Sequence, residues 1–179
     1  MSTGRTWFTR ANGLSLLRML FAPALALAVT DGAAAAAAAL FWLAVATDVA
    51  DGRVARRRGE VTPYGRLFDH AADATFVTVG TAALAWVGAL PVALPPLIAA
   101  AFLQYAFDSR SLAFRELRRS RLGHWNGIAY YVIVAVPVMR DALGLAWPGA
   151  GLVWALGWLL VALTLVSMSD RLRVAFSTK

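Results

Sequence analysis

The stretch Ala37–Asp73, AAALFWLAVATDVADGRVARRRGEVTPYGRLFDHAAD, runs from an apolar segment into a knot of acids and arginines and back toward an apolar segment. Its first part has no alternation of apolar and polar residues, so it reads as a helix rather than a strand of a membrane barrel, and an open sheet edge has no place in lipid. Five similar runs surround it. The apolar stretches cover about 14–30 (interrupted by Arg18 and Pro23), 33–46 continuing toward Asp51, 65–88, 97–114, 127–139 and 149–168. Leu90-Pro91 and Pro95-Pro96 are assigned to the turn before the fourth.

The chain has 179 residues, of which 60% are hydrophobic. A span takes about 20 apolar residues, so six spans leave only short loops and no room for a separate soluble domain. The expectation is therefore an all-α integral membrane protein: six transmembrane helices, an N-terminal interfacial segment around Thr6, Trp7 and Phe8, and one domain over 1–179. With both termini inside, 16 of the 17 Lys and Arg residues fall on the inner side and only Arg140 lies outside. The positive-inside rule then orients the chain in the cell (inner) membrane with its termini and acid knot toward the cytoplasm. The excess of basic residues suits anionic membrane lipids better than nucleic acid. The basic start and apolar run also resemble a cleaved signal, but Arg18 and Pro23 break the apolar core such a signal needs. The Ala33–Ala39 run is read simply as a surface for close helix packing. The absence of Cys excludes disulfides, thiol catalysis and Cys-ligated metals.

The acids are the unusual feature. Asp48 and Asp51 are separated by one helical turn, as are Asp69 and Asp73, so each pair shares a helix face. Their helices are joined by a short connection and are expected to be antiparallel neighbours with the pairs facing. A carboxylate deep in a membrane costs about 2.5–3.5 kcal/mol on insertion scales, and clustered carboxylates repel one another. Ion pairs with Arg53, Arg56 and Arg66 offset part of this cost. Two divalent cations such as Mg²⁺, Mn²⁺ or Ca²⁺ offset it better, because they take hard oxygen ligands. Only His70 and His124 are available as imidazole ligands, which argues against zinc.

The run Asp48-Val49-Ala50-Asp51-Gly52-Arg53-Val54-Ala55-Arg56, followed after eight residues by Gly65, after three more by Asp69 and after three more by Asp73, resembles the signature of the CDP-alcohol phosphatidyltransferase family at all eight fixed positions. The resemblance implies an enzyme of phospholipid biosynthesis that cleaves a CDP-linked donor, releases CMP and passes the phosphoryl-lipid unit to an alcohol. It implies Mg²⁺ or Mn²⁺, two ions, on Asp48, Asp51, Asp69 and Asp73, with Asp69 and Asp73 in catalysis and Asp73 as general base. It also implies a CDP site at Gly52, Ala55, Arg56 and Gly65, where small residues let the nucleotide approach the backbone, and a homodimer. Asn12-Gly13-Leu14-Ser15-Leu16-Leu17-Arg18 resembles the polar start of the family's first span, which adds Asn12 to the nucleotide site, although an Asn ahead of an apolar helix also serves as an N-cap.

The expected partners are CDP-diacylglycerol and a small polar alcohol, with glycerol 3-phosphate first. Asp108, Arg110, Arg115 and His70 are the candidate acceptor contacts, since arginines on the inner side suit a phosphate. Bacterial phosphatidylglycerophosphate synthases carry Pro after the third Asp and Lys after the fourth, whereas this chain has His70 and Ala74. Asp69-His70 is similar to the choline and ethanolamine phosphotransferases, which use a CDP-amino-alcohol and diacylglycerol, but the short chain favours CDP-diacylglycerol. A small membrane cation transporter is the alternative of another class. It would spread its acids through the membrane depth, whereas these gather at one end.

Overall fold

The computed structural model describes residues 10–58, 63–111 and 121–177, with side chains described for 13–50, 65, 67–107 and 123–173. These residues form six helices and no strand: α1 (Arg10–Thr30), α2 (Ala34–Arg58), α3 (Pro63–Trp86), α4 (Leu94–Ser111), α5 (Arg121–Ala142) and α6 (Ala150–Ser177). The expected helices are all present, most of them longer than the apolar runs that announced them, because a helix continues past its apolar part into polar residues. The segment Thr6–Phe8 lies outside the described residues. Pro95 and Pro96 differ from expectation: they fall inside the first turn of α4. The first turn tolerates proline because its N–H groups have no intrahelical acceptor.

Three helices end in one way. At the ends of α1, α3 and α5, the residues Gly32, Gly88 and Gly144 adopt φ of 70°, 77° and 62°. Around Gly32, the N–H of Ala33 donates to the Ala28 carbonyl at 2.8 Å and that of Gly32 to Val29 at 3.2 Å. Residues 88–89 and 144–145 repeat the pattern. This double bond back into the last turn satisfies carbonyls that the helix leaves open, and its left-handed residue is favourable only for glycine. Sharp turns of this kind return the chain at the end of the bundle opposite the acids.

The packing centres on α1. Its most extensive contacts are with α3 and α2, so α1 lies between the two helices that carry the acidic pairs. α2 and α3 still meet beside it, as the short connection suggested, with the Phe41 and Phe76 rings 6.2 Å apart and Asp48 facing Asp69 and Asp73. The face it buries is spaced by three and four residues, Ser15, Arg18, Ala22 and Leu25, all 1% exposed or less. Small residues allow the close approach: Ala37, Phe41 and Ala44 of α2 are buried, and a Cβ at Gly80 of α3 would come within 3.2 Å of Leu25 and 3.3 Å of Val134. The alanine run contributes less than expected to this packing, since Ala37 is its one buried member. At the far side, Gly157 of α6 lies so close to Pro91 that a Cβ would sit 2.5 Å from its ring.

The outward faces are apolar. Trp86, Trp154, Trp158, Leu159 and Val166 are exposed. Two helical stretches, Gly13–Thr30 and Ala150–Arg173, are long and apolar enough to cross a membrane, and Ala34–Ala50 and Leu94–Phe107 are shorter apolar stretches.

Candidate active site

Asp48 stands in α2, and Asp69 and Asp73 stand on one face of α3 one turn apart. One carboxylate oxygen from each of the three lies within 4.8 Å of the other two. Their side chains are 41%, 38% and 26% exposed, so the cluster is partly open. Three anionic oxygens at this separation, with no sulfur or imidazole in the set, suit a hard dication of the Mg²⁺ or Mn²⁺ kind. Asp51 follows one turn after Asp48 on the helix backbone, and its side chain lies outside the described ones.

The cluster already contains a cation. Arg18 of α1 is fully buried, and its guanidinium reaches all three acids: Nη2 lies 3.0 Å from Asp48 Oδ1 and 3.2 Å from Asp69 Oδ1, and Nη1 bonds Asp73 Oδ1. The expected neutralising arginines were Arg53, Arg56 and Arg66, whose side chains lie outside the described ones. Among the described side chains, the arginine that makes the contact comes from the interior stripe of α1. A fully buried guanidinium requires anions around it, because desolvating an unpaired charge costs several kcal/mol.

Two hydroxyls complete the surroundings. Ser15 Oγ, one turn before Arg18, donates to Asp69 Oδ1 at 3.4 Å. Tyr131 Oη of α5 donates to Asp73 Oδ1 at 2.6 Å, a short bond of the charge-assisted kind. The Tyr131 ring is held in turn: it stacks on Phe76 at 6.0 Å and 22° and meets Phe41 edge-on at 6.4 Å. Asp73 is thereby fixed from α1 and from α5 at once. Neither Tyr131 nor Ser15 is distinguishable in the sequence from other helical polar residues, while Arg18 carries a signal: a charge in an apolar span marks an interior partner.

Most of the other predicted residues have side chains outside the described ones. Gly65 lies in the first turn of α3, and Gly52, Ala55 and Arg56 lie in the final turns of α2 with side chains outside the described ones. Helix α1 begins at Arg10, which puts Asn12 in its first turn rather than at the cap. Asp108 and Arg110 end α4, again without described side chains, and Arg115 lies outside the described residues. His70 is exposed and sets its ring edge-on to Tyr105 of α4 at 5.4 Å. Arg171 of α6 lies over the other ring of that pair, 5.4 Å from the Tyr105 centroid.

Comparison with known proteins agrees with this geometry. The sequence profile of the CDP-alcohol phosphatidyltransferase family matches residues 8–167. A Schizosaccharomyces pombe protein described as a cardiolipin synthase (CMP-forming) / mitochondrial hydrolase fusion protein is 31% identical over 155 residues, 76% of this chain and 26% of that protein. The chain thus spans about a quarter of the length of that curated relative. No solved structure matches significantly. A profile match over nearly the whole chain, enclosing Arg18, all four aspartates and Tyr131, means that the chain belongs to the CDP-alcohol phosphatidyltransferase family and is a transferase.

Proposed function

We propose that this chain is a single integral membrane domain of six spanning helices that transfers a phosphatidyl group from CDP-diacylglycerol to a small polar alcohol, glycerol 3-phosphate first, with release of CMP. The observation that carries the reading is the convergence of Asp48, Asp69 and Asp73 within 4.8 Å at a partly open end of the bundle. A soluble alcohol and a lipid-linked nucleotide must both reach one point, and a cluster at the membrane edge satisfies that. The apolar outward faces suit lipid, and the basic ends suit the cytoplasmic side.

Asp48, Asp51, Asp69 and Asp73 would hold two divalent ions, which would neutralise the donor diphosphate and the charge that develops on departing CMP. The acceptor oxygen attacks the phosphorus next to the diacylglycerol as the bond from that phosphorus to CMP breaks. Asp73 takes the proton released from the acceptor hydroxyl. Tyr131 holds the Asp73 carboxylate in position through a ring wedged between Phe41 and Phe76. Gly52, Ala55, Arg56, Gly65 and Asn12 form the CDP side; Asp108, Arg110, Arg115 and His70 form the acceptor side. The working form is a homodimer in the cell membrane with both termini in the cytoplasm.

A second acceptor reading follows from the relative. Its cardiolipin-forming, CMP-releasing activity brings phosphatidylglycerol forward as an alternative acceptor, while Asp69-His70 keeps the CDP-amino-alcohol branch in view. The test is CMP release by the purified chain from labelled CDP-diacylglycerol with Mg²⁺ or Mn²⁺. The panel holds glycerol 3-phosphate, phosphatidylglycerol, inositol phosphate and serine, with CDP-choline plus diacylglycerol in a parallel arm. Turnover with glycerol 3-phosphate alone supports the first reading. Turnover with phosphatidylglycerol alone replaces it with the second, and silence in every arm removes the catalytic reading.

A further inference from the structure

The guanidinium of Arg18 occupies the middle of the carboxylate triangle, and its placement has a specific geometry. Its acid contacts among the described side chains are all to Oδ1 atoms, with Nη2 on Asp48 and Asp69 and Nη1 on Asp73. A dication bound by this triad needs oxygens from the same three carboxylates. Arginine stays charged at every working pH, so protonation does not withdraw it. It is also fully buried on the stripe that α1 buries between α2 and α3. Three carboxylates drawn from two helices, with no cation among them, would push those helices apart.

We propose that Arg18 is a positioning residue that holds the place of a cation: it gathers Asp48, Asp69 and Asp73 before a metal arrives and yields Oδ1 of Asp48 and Asp69 to the metal when it binds. The second hold on Asp73, from Tyr131, sets the direction of the exchange. Nη2 serves two acids and can release both by a small swing of the fork, while Nη1 keeps Asp73, which Tyr131 also holds. The arginine therefore has two opposed effects. It stabilises the metal-free protein, and it lowers metal affinity, because the incoming ion meets a resident positive charge and has to displace two bonds. The inference rests on the metal reading above, which supplies the incoming ion.

The test uses the purified full chain in detergent, stripped of metal by chelation, with Mn²⁺ as probe and free Mn²⁺ followed by electron paramagnetic resonance. Arg18→Met is expected to lower the metal-free thermal midpoint and to bind Mn²⁺ about tenfold more tightly than the native chain, a difference of about 1.4 kcal/mol. Saturating Mn²⁺ should close most of the gap in midpoint, since a ligand at free concentration L stabilises by RT ln(1 + L/Kd) and the variant binds the ion more tightly. Adding Asp73→Asn to Arg18→Met should recover part of the lost metal-free stability by removing one of the repelling charges. If Arg18→Met fails to fold, Arg18→Lys carries the test, because one amine bridges fewer carboxylates than a fork and Mn²⁺ affinity should rise about threefold. Unchanged or weaker Mn²⁺ binding in the folded variant, with a low midpoint that Mn²⁺ does not restore, overturns the proposal and leaves Arg18 an ordinary structural ion pair. Absence of Mn²⁺ binding in the native chain and the variant alike overturns it by a separate route, because the metal reading itself then fails.

Discussion

Two polar groups among the described residues of the bundle are built in opposite ways. Between α1, α2, α3 and α5, Arg18 meets three carboxylates, one of them also bonded by Tyr131, and the acids stay partly open. Between α5 and α6 the groups are neutral: Tyr130 and Thr164 share a hydrogen bond of 2.8 Å, and Asn126 donates to the Leu163 carbonyl at 3.3 Å. Thr164 also donates to its own helix at Leu160, and Gln104 of α4 reaches the Met168 carbonyl at 3.1 Å. The neutral group spends its donors on other side chains and on backbone of α6, and Tyr130, Thr164 and Asn126 are buried. A group closed in this way joins helices. The charged group keeps anionic oxygen facing outward, as a site that must bind something requires.

The largest expected effect falls on the charged group. Removing divalent ions by chelation should bring CMP release to background, and readdition of Mn²⁺ should restore it. Activity that survives chelation would break the comparison at its root. Asp73→Asn should lower kcat by about 10³-fold, in the range of general base catalysis, with the helical circular dichroism unchanged. A loss below tenfold would assign the proton to another group.

Tyr131→Phe removes one donor while keeping the ring between Phe41 and Phe76. It should lower kcat about tenfold, equivalent to about 1.4 kcal/mol, with KM for the donor little changed. An equal rise in KM and no fall in kcat would make Tyr131 a binding rather than a positioning residue. The smallest effect belongs to the neutral group. Thr164→Val should cost about 1 kcal/mol of stability, the net worth of a typical buried hydrogen bond, and leave kcat unchanged. A change in kcat larger than threefold there would show that the two groups are coupled.

Much of the bundle was legible in the sequence. Six apolar runs anticipated six helices, and the four aspartates at turn spacing announced a cluster, because helical periodicity is a local property. The triad of Asp48, Asp69 and Asp73 follows from that spacing, yet its cation does not. The separation of Arg18 from Asp73 is 55 residues and that of Tyr131 from Asp73 is 58. Such pairings depend on how helices are ordered around one another. The short connection between α2 and α3 suggested that their acids face one another, as they do, whereas the close packing of α1 along both is an outcome set by small residues such as Ala22, Ala44 and Gly80. The spacing of Ser15, Arg18, Ala22 and Leu25 does hold a readable hint, for it places the arginine on the same stripe as residues destined for the interior.

The position of α1 between α2 and α3 also divides the molecule for engineering. Arg18, Asp48, Asp69 and Asp73 all belong to the first three helices, and α5 lends this group one phenol. A chimera that keeps α1–α3 and Tyr131 while exchanging α4, α6 and the rest of α5 with a relative would carry the acid cluster and its arginine as a transplantable cassette. The exchanged half would then show whether the choice of alcohol travels with it, provided that the new α5 still meets Gly80 with a side chain no larger than Val134.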